Sequence, residues 1–177
     1  MDPNIVIGVN EKDEITGYFE KLDAHEKGIL HRAISVFIFN SKGEWLLQQR
    51  AGHKYHSGLK WSNTTCTHPM KGESALEAAH RRLAEEMGMT ANLDKLFTFK
   101  YYAELDKNLI EHELDHIFIG HTDDLPQINK EEVEAYRYIS TKELQIEIED
   151  FPDRFTEWFK MLFNELQKSK KASGVSA

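Results

Sequence analysis

An α/β fold with a mixed sheet set between helices is what this sequence predicts, and three observations carry it. Strand-like and helix-like stretches interleave along one chain that has no repeats or linkers. Residues 32–39 form a nearly continuous apolar run, the pattern of a strand buried on both faces. Leu76, Ala79, Leu83 and Met87 recur at helical period, so one face of that helix is core. At 177 residues the chain makes one ordinary domain, expected over residues 1–168 with 169–177 as a tail.

Taken in order, residues 4–9 and 15–20 read as two short strands of a small N-terminal hairpin, turned at Glu11 to Glu14. Lys21 follows. His25 and His31 then flank a loop containing Gly28, which lets the chain fold back and bring both rings together. Two histidines six apart in a loop are a weak metal signal, and surface histidines are the commoner outcome. After the apolar run, residues 40–43 make a hairpin turn and 45–50 the partner strand. Arg50 ends that strand, with Lys54 four residues on in a loop containing Gly52. Such cations are solvated charge by default; they are also what a phosphate clamp needs, since an Arg fork matches phosphate oxygens and Lys adds a point charge.

Ser74 and Glu77 have capping-box spacing at the start of the central helix, and Gly88 stands where a left-handed C-terminal residue is wanted. Residues 96–102 read as a strand, 106–108 as a turn and 109–121 as a longer strand. In the last, Glu111, Glu113 and Asp115 project from one face just before a stretch rich in Ile and Phe. Carboxylates that close to a buried segment are costly unless paired or bound to metal. Residues 133–139 form a further strand, and Thr141 caps a helix at 142–146. Pro152 opens a final helix over 154–168, with Phe155, Trp158, Phe159, Leu162, Phe163 and Leu166 on its apolar side. Residues 170–177, small and polar, are expected to be disordered.

The net charge of −8 argues against nucleic-acid binding through phosphate contacts. A single cysteine excludes an internal disulfide, the N-terminus lacks the pattern of a signal peptide, and no apolar run approaches the ~18 residues that span a bilayer. The expectation is a soluble, cytoplasmic protein with no membrane partner.

Residues 61–89 organise the rest: WSNTTCTHPMKGESALEAAHRRLAEEMGM. Glu85 and Glu86 sit in the last turn of the helix, where the macrodipole disfavours anions. Carboxylates placed against that preference suggest a hard cation to bind. A salt-bridged surface, Arg81 with Glu85 and Arg82 with Glu86, explains them as well.

Glu73, Arg81, Leu83, Glu85, Glu86, Gly88 and Met89 fall in register with the Nudix box, which resembles this stretch closely. Thr67 stands where the box has its first Gly, and Arg82 replaces a Glu that ligates metal in Nudix hydrolases. With Thr-Cys-Thr-His-Pro ahead of it, the pattern resembles the type 1 isopentenyl-diphosphate isomerases. That resemblance implies an α/β/α sandwich and an enzyme interconverting two isomeric five-carbon alkenyl diphosphates in isoprenoid biosynthesis. It implies Cys66 and Glu113 as acid/base groups, Tyr101 bonded at the acid's site, and Trp158 against the cationic carbon. His25, His31, His68, Glu111 and Glu113 would hold one Mn²⁺ or Zn²⁺. Glu86 would help bind Mg²⁺ with the substrate diphosphate, and Lys21, Arg50, Lys54 and Arg82 would contact its phosphates. The expected partner is the small isoprenyl diphosphate, and the expected assembly a monomer or weak dimer.

Two other classes compete. A Nudix hydrolase would want Glu at position 82 and has no need of Cys66. A metal-stabilised binding domain would fit the histidines and the aromatic helix, but binding alone needs no thiol facing a carboxylate.

Overall fold

The central apolar run forms β3 (His31–Phe39), and the sheet is built outward from it. The structure, a computed structural model, describes residues 4–54, 56–105 and 108–172, the last three without their side chains. Among these residues nine strands form one mixed sheet. One edge of β3 runs parallel to β8 (Ile110–His121), from His31 opposite Glu113 to Phe39 opposite His121. The other edge is shared. β1 (Ile5–Val9) meets it at His31, β6 (Thr65–Thr67) at Ile34 to Val36, and β4 (Trp45–Arg50) at Ile38 and Phe39. β2 (Ile15–Glu20) extends the sheet beyond β1, β7 (Leu93–Glu104) beyond β8, and β9 (Val133–Ile139) with β5 (Trp61–Ser62) flank β4.

The period of two along β3 separates two cores. Ile34, Val36 and Ile38 pack with Ala78, Ala79, Leu83 and Met87 of α2 (Ala75–Met87). Phe37 and Phe39 pack with Phe155, Phe159, Leu162 and Phe163, mostly from α4 (Glu157–Ala172), and with Leu144 of α3 (Thr141–Asp150). Helices thus cover both faces, the α/β/α sandwich that was expected. α2 carries its full capping box at Ser74, and Gly88 ends it at φ 60. A Cβ there would lie 2.5 Å from the Gln127 carbonyl oxygen, so this position requires glycine.

Several expectations need correction. His25 lies on a short helix, α1 (Lys21–Lys27), that Gly28 closes in the left-handed conformation; seven residues are too few to show a helical period. Leu76 is exposed, and Ala78 takes its place in the core. β7 begins three residues early, because Leu93 reaches the α2 core across a bulge at Lys95 to Phe97. Ser140, not Thr141, caps α3, since Glu143 completes a capping box with it. The Thr141 hydroxyl instead accepts from Trp45 Nε1 at 2.8 Å. Pro152 opens only a one-turn 3-10 helix, Pro152–Arg154. Phe155, fully buried, stays extended and bridges Trp61, so α4 starts at Glu157. α4 runs to Ala172, through the start of the expected tail. Residues 173–177, and residues 106 and 107 of the expected turn, lie outside the described residues.

Candidate active site

Where β3 shares its edge among three strands, a cavity of about 180 Å³ opens. Every element around it supplies chemistry. Lys21 comes from α1; Ser35 from β3; Arg50, Lys54 and His56 from β4 and the loop after it; Cys66, Thr67 and His68 from β6 and its end. Arg82 and Glu86 come from α2, Tyr101 from β7, Glu111 and Glu113 from β8 and Trp158 from α4. Register explains the assembly. Cys66 pairs with Ser35 across β3–β6, while Glu113 pairs with His31 across β3–β8 and with Tyr101 across β7–β8. The lone thiol and the second acid therefore reach one cavity from opposite edges of the same strand.

His25, His31, His68 and Glu113 bring one ligand atom each to within 4.8 Å of one another. Their tautomers follow from the backbone. His25 Nδ1 donates to Lys21 O at 2.5 Å and His31 Nδ1 to Ile29 O at 2.7 Å, and a carbonyl oxygen can only accept. In the neutral rings the Nε2 atoms are then lone pairs facing inward. His31 Nε2 lies 3.2 Å from His68 Nε2, which in turn lies 2.8 Å from Glu113 Oε1. Nitrogen lone pairs and carboxylate oxygens converging in a buried space call for a cation. Three imidazoles with a carboxylate suit a divalent metal of the borderline kind. Glu111 borders the group, with Oε2 3.3 Å from His25 Nε2, and so fits as a further oxygen donor.

Glu86 stands apart from this cluster. Its buried carboxylate accepts from Gln48 Nε2 at 2.7 Å, from the Thr65 hydroxyl and from Arg82 Nη2 at 2.7 Å. A carboxylate has about four lone-pair directions, so one remains for an ion. The Nudix-box brace is also present: Arg81 grips Glu73 with Nε at 2.7 Å and Nη2 at 2.9 Å, and Glu73 accepts from Met70 N. Arg81 with Glu85 forms the exposed pair expected on that helix, whereas Arg82 pairs with a Glu86 carboxylate that is buried.

Burial sets the protonation of the thiol, and neighbouring groups that of the carboxyl. It pushes the Cys66 thiol up to about 12, although Arg50 pulls the other way. Burial would raise Glu113 too, but whenever the His31 ring is protonated its charge and hydrogen bond, with help from Glu111 and the Tyr101 hydroxyl, hold it below the usual carboxylate range. Tyr101 donates that hydroxyl to Glu113 Oε2 in a short bond. Asp115, next on the same face, goes the opposite way: burial and the Glu113 charge raise it well above its ordinary value. Arg50 stacks 5.2 Å over the Trp158 ring, and its Nε has no hydrogen-bond partner among the described residues. A guanidinium in a cavity with an unsatisfied N–H is ready for an anion.

All thirteen residues singled out in the sequence line this cavity or its metal cluster, Lys21 included. Three neighbours were missed. His56, 7 % exposed, lies between Glu111 (3.5 Å) and Trp158, and burial drives it down to about 3. Gln48 anchors Glu86 from β4. Glu132 pairs with Lys54 and Arg82. All three lie in loops or strands whose pattern marks none of them, and only the fold brings them in.

Comparison with known proteins follows the same lines. The NUDIX domain model matches residues 29–159. The chain is 54% identical to an isopentenyl-diphosphate Delta-isomerase of Pectobacterium atrosepticum, over 89% of this chain and 88% of that one. It is 48% identical to isopentenyl-diphosphate Delta-isomerase 2 of Photorhabdus laumondii, over 94% and 93%. Among solved structures it is similar to a Deinococcus radiodurans protein (TM-score 0.69, 19% identity, 83% of this chain and 90% of that one). A MutT protein of Methanosarcina mazei follows at TM-score 0.67 and 19% identity, over 80% and 96%. Those two likenesses carry the fold alone.

Proposed function

The chain belongs to the NUDIX family and, within it, to the isopentenyl-diphosphate Delta-isomerases, and on that premise we propose that Cys66 and Glu113 exchange protons with opposite faces of a five-carbon chain as the enzyme interconverts isopentenyl and dimethylallyl diphosphate. One observation carries the reading. The only cysteine and a buried glutamate line a single cavity with an aromatic ring and four cations.

Moving the double bond by one position adds a proton to one alkene carbon and removes another from the far side of the neighbouring carbon. Cys66 and Glu113 hold one reactive proton between them. At rest burial keeps it on sulfur and the carboxyl is ionised. Transferring it to Glu113 leaves the net charge unchanged and creates a far stronger acid, with the thiolate near Arg50 as the base. Tyr101 stays bonded to Glu113 Oε2 and orients the carboxyl in either state. Trp158 turns its ring toward the developing tertiary cation, an interaction worth ~2 kcal/mol when desolvated. That ring already carries Arg50, which supports a cation-tolerant wall. Against a barrier lowered by ~8 kcal/mol or more it contributes only part; the acid/base pair and the exclusion of water supply the rest.

Lys21, Arg50, Lys54 and Arg82 contact the diphosphate. His25, His31, His68, Glu111 and Glu113 would hold one Mn²⁺ or Zn²⁺, and Glu86 would help hold the Mg²⁺ that accompanies the substrate diphosphate. When bound, the first metal supplies positive charge that orders the Glu113 carboxylate. Arg82 is the residue that separates this reading from hydrolysis: a cation for the substrate stands where a hydrolase places a metal-binding acid. Residues 1–168 act as the one domain that carries the site.

Incubation with isopentenyl diphosphate and divalent metal should yield dimethylallyl diphosphate, and prior chelation should stop it. An ADP-ribose-type substrate with Mg²⁺ should release neither phosphate nor AMP. Nucleotide cleavage without isomer formation would overturn the reading in favour of a hydrolase.

A further inference from the structure

Glu132 touches two of the four cations assigned to the diphosphate. It stands half-buried in the turn before β9, and its Oε2 accepts from both Lys54 Nζ and Arg82 Nη2. Backbone bonds fix it there. Glu132 N donates to Asn129 O at 2.9 Å, and its own carbonyl accepts from Ala51 N at 3.1 Å, tying the turn to the loop that carries Lys54. Lys54 and Arg82 come from separate elements and would repel one another without an anion between them. Arg82 also holds Glu86 at 2.7 Å, whereas among the described residues Glu132 is the one ion-pair partner of Lys54.

Resting on the reading of Lys54 and Arg82 as diphosphate cations, we propose that Glu132 is an internal competitor for them, a carboxylate that occupies both between turnovers and is displaced by the diphosphate. A diphosphate brings several charged oxygens against one Oε2, so the exchange favours the substrate. The contact to be broken weakens binding of substrate and product alike, and Glu132 thereby sets the working KM and eases product release. It is a positioning residue that never touches the reacting carbons.

The test is inorganic pyrophosphate as a competitive inhibitor of the metal-loaded enzyme, measured beside KM and kcat for isopentenyl diphosphate. Removing the charge with Glu132→Gln should lower the inhibition constant and KM together, by about five-fold, with kcat unchanged or reduced. Glu132→Asn should move both in the same direction, and Glu132→Asp should return them toward wild type. A buttress would behave in the opposite sense. If pyrophosphate inhibition weakens or stays the same in Glu132→Gln, the proposal is overturned. Lys54→Gln and Arg82→Gln separate the two levels. Both should weaken pyrophosphate; if they do and Glu132→Gln fails to tighten it, only the competitor role falls. If neither weakens it, the diphosphate reading falls and this inference with it.

Discussion

Replacing Tyr101 by Phe removes one hydroxyl and little else. The ring is 6% exposed and packs in the core under α4, where Phe retains its apolar contacts. The lost group is the donor on Glu113 Oε2, while Oε1 keeps His68 at 2.8 Å and His31 at 3.5 Å. A hydrogen bond to a charged group contributes about 1.5–3 kcal/mol. At roughly 1.4 kcal/mol per factor of ten, full expression of that bond in the transition state amounts to about 10- to 100-fold in kcat. KM should hardly move, because the diphosphate cations are other residues. Steady-state isomerisation, with a thermal melt to confirm folding, measures it. A kcat within two-fold of wild type, or a loss confined to KM, would refute the role given to the phenol.

Three further outcomes follow from the same geometry. Trp158→Leu should lower kcat by about 30-fold, the equivalent of ~2 kcal/mol of cation–π stabilisation, whereas Trp158→Phe should retain more than the Leu variant; equal losses would remove the ring from the mechanism. Asp115, raised by burial and by Glu113, is protonated in the native state where the unfolded chain, titrating near 3.8, is ionised. Its stabilising effect is complete below 3.8 and is lost as pH rises toward the native value, so melting temperatures of Asp115→Asn and wild type should diverge in favour of Asn from pH 4 to 8. Parallel curves would contradict that. Gly88→Ala should cost about 2 kcal/mol or more in urea unfolding, since its Cβ would meet the Gln127 carbonyl at 2.5 Å with φ at 60; a cost under about 0.5 kcal/mol would mean the turn relaxes freely.

Much of the sheet was legible because its strands either alternate or run apolar throughout. β3 declared itself through residues buried on both faces, and β8 through acids at period two that give way to Ile and Phe. The central helix was legible from its capping box. α1 was not, because seven residues carry less than two turns of pattern. The start of α4 was misplaced for a different reason: Phe155 is held extended by Trp61, a partner far away in sequence. At the site, the ordered histidines, the Glu-His-Glu strand and the Cys-x-His pair were visible in sequence as a constellation. Glu132, Gln48 and His56 were not, since their roles arise only once β4, α2 and the turn before β9 converge.

Isomerisation of isopentenyl diphosphate in D₂O, run on wild type beside Cys66→Ala and Glu113→Gln, bears most directly on the opposed thiol and carboxyl. Wild type should build deuterium into the alkenyl pool while dimethylallyl diphosphate accumulates; Cys66→Ala should abolish net isomerisation with metal site and fold intact, and Glu113→Gln should abolish it with the fold intact. Sustained turnover with solvent deuterium uptake in Cys66→Ala would place the second proton-transfer group elsewhere in the cavity.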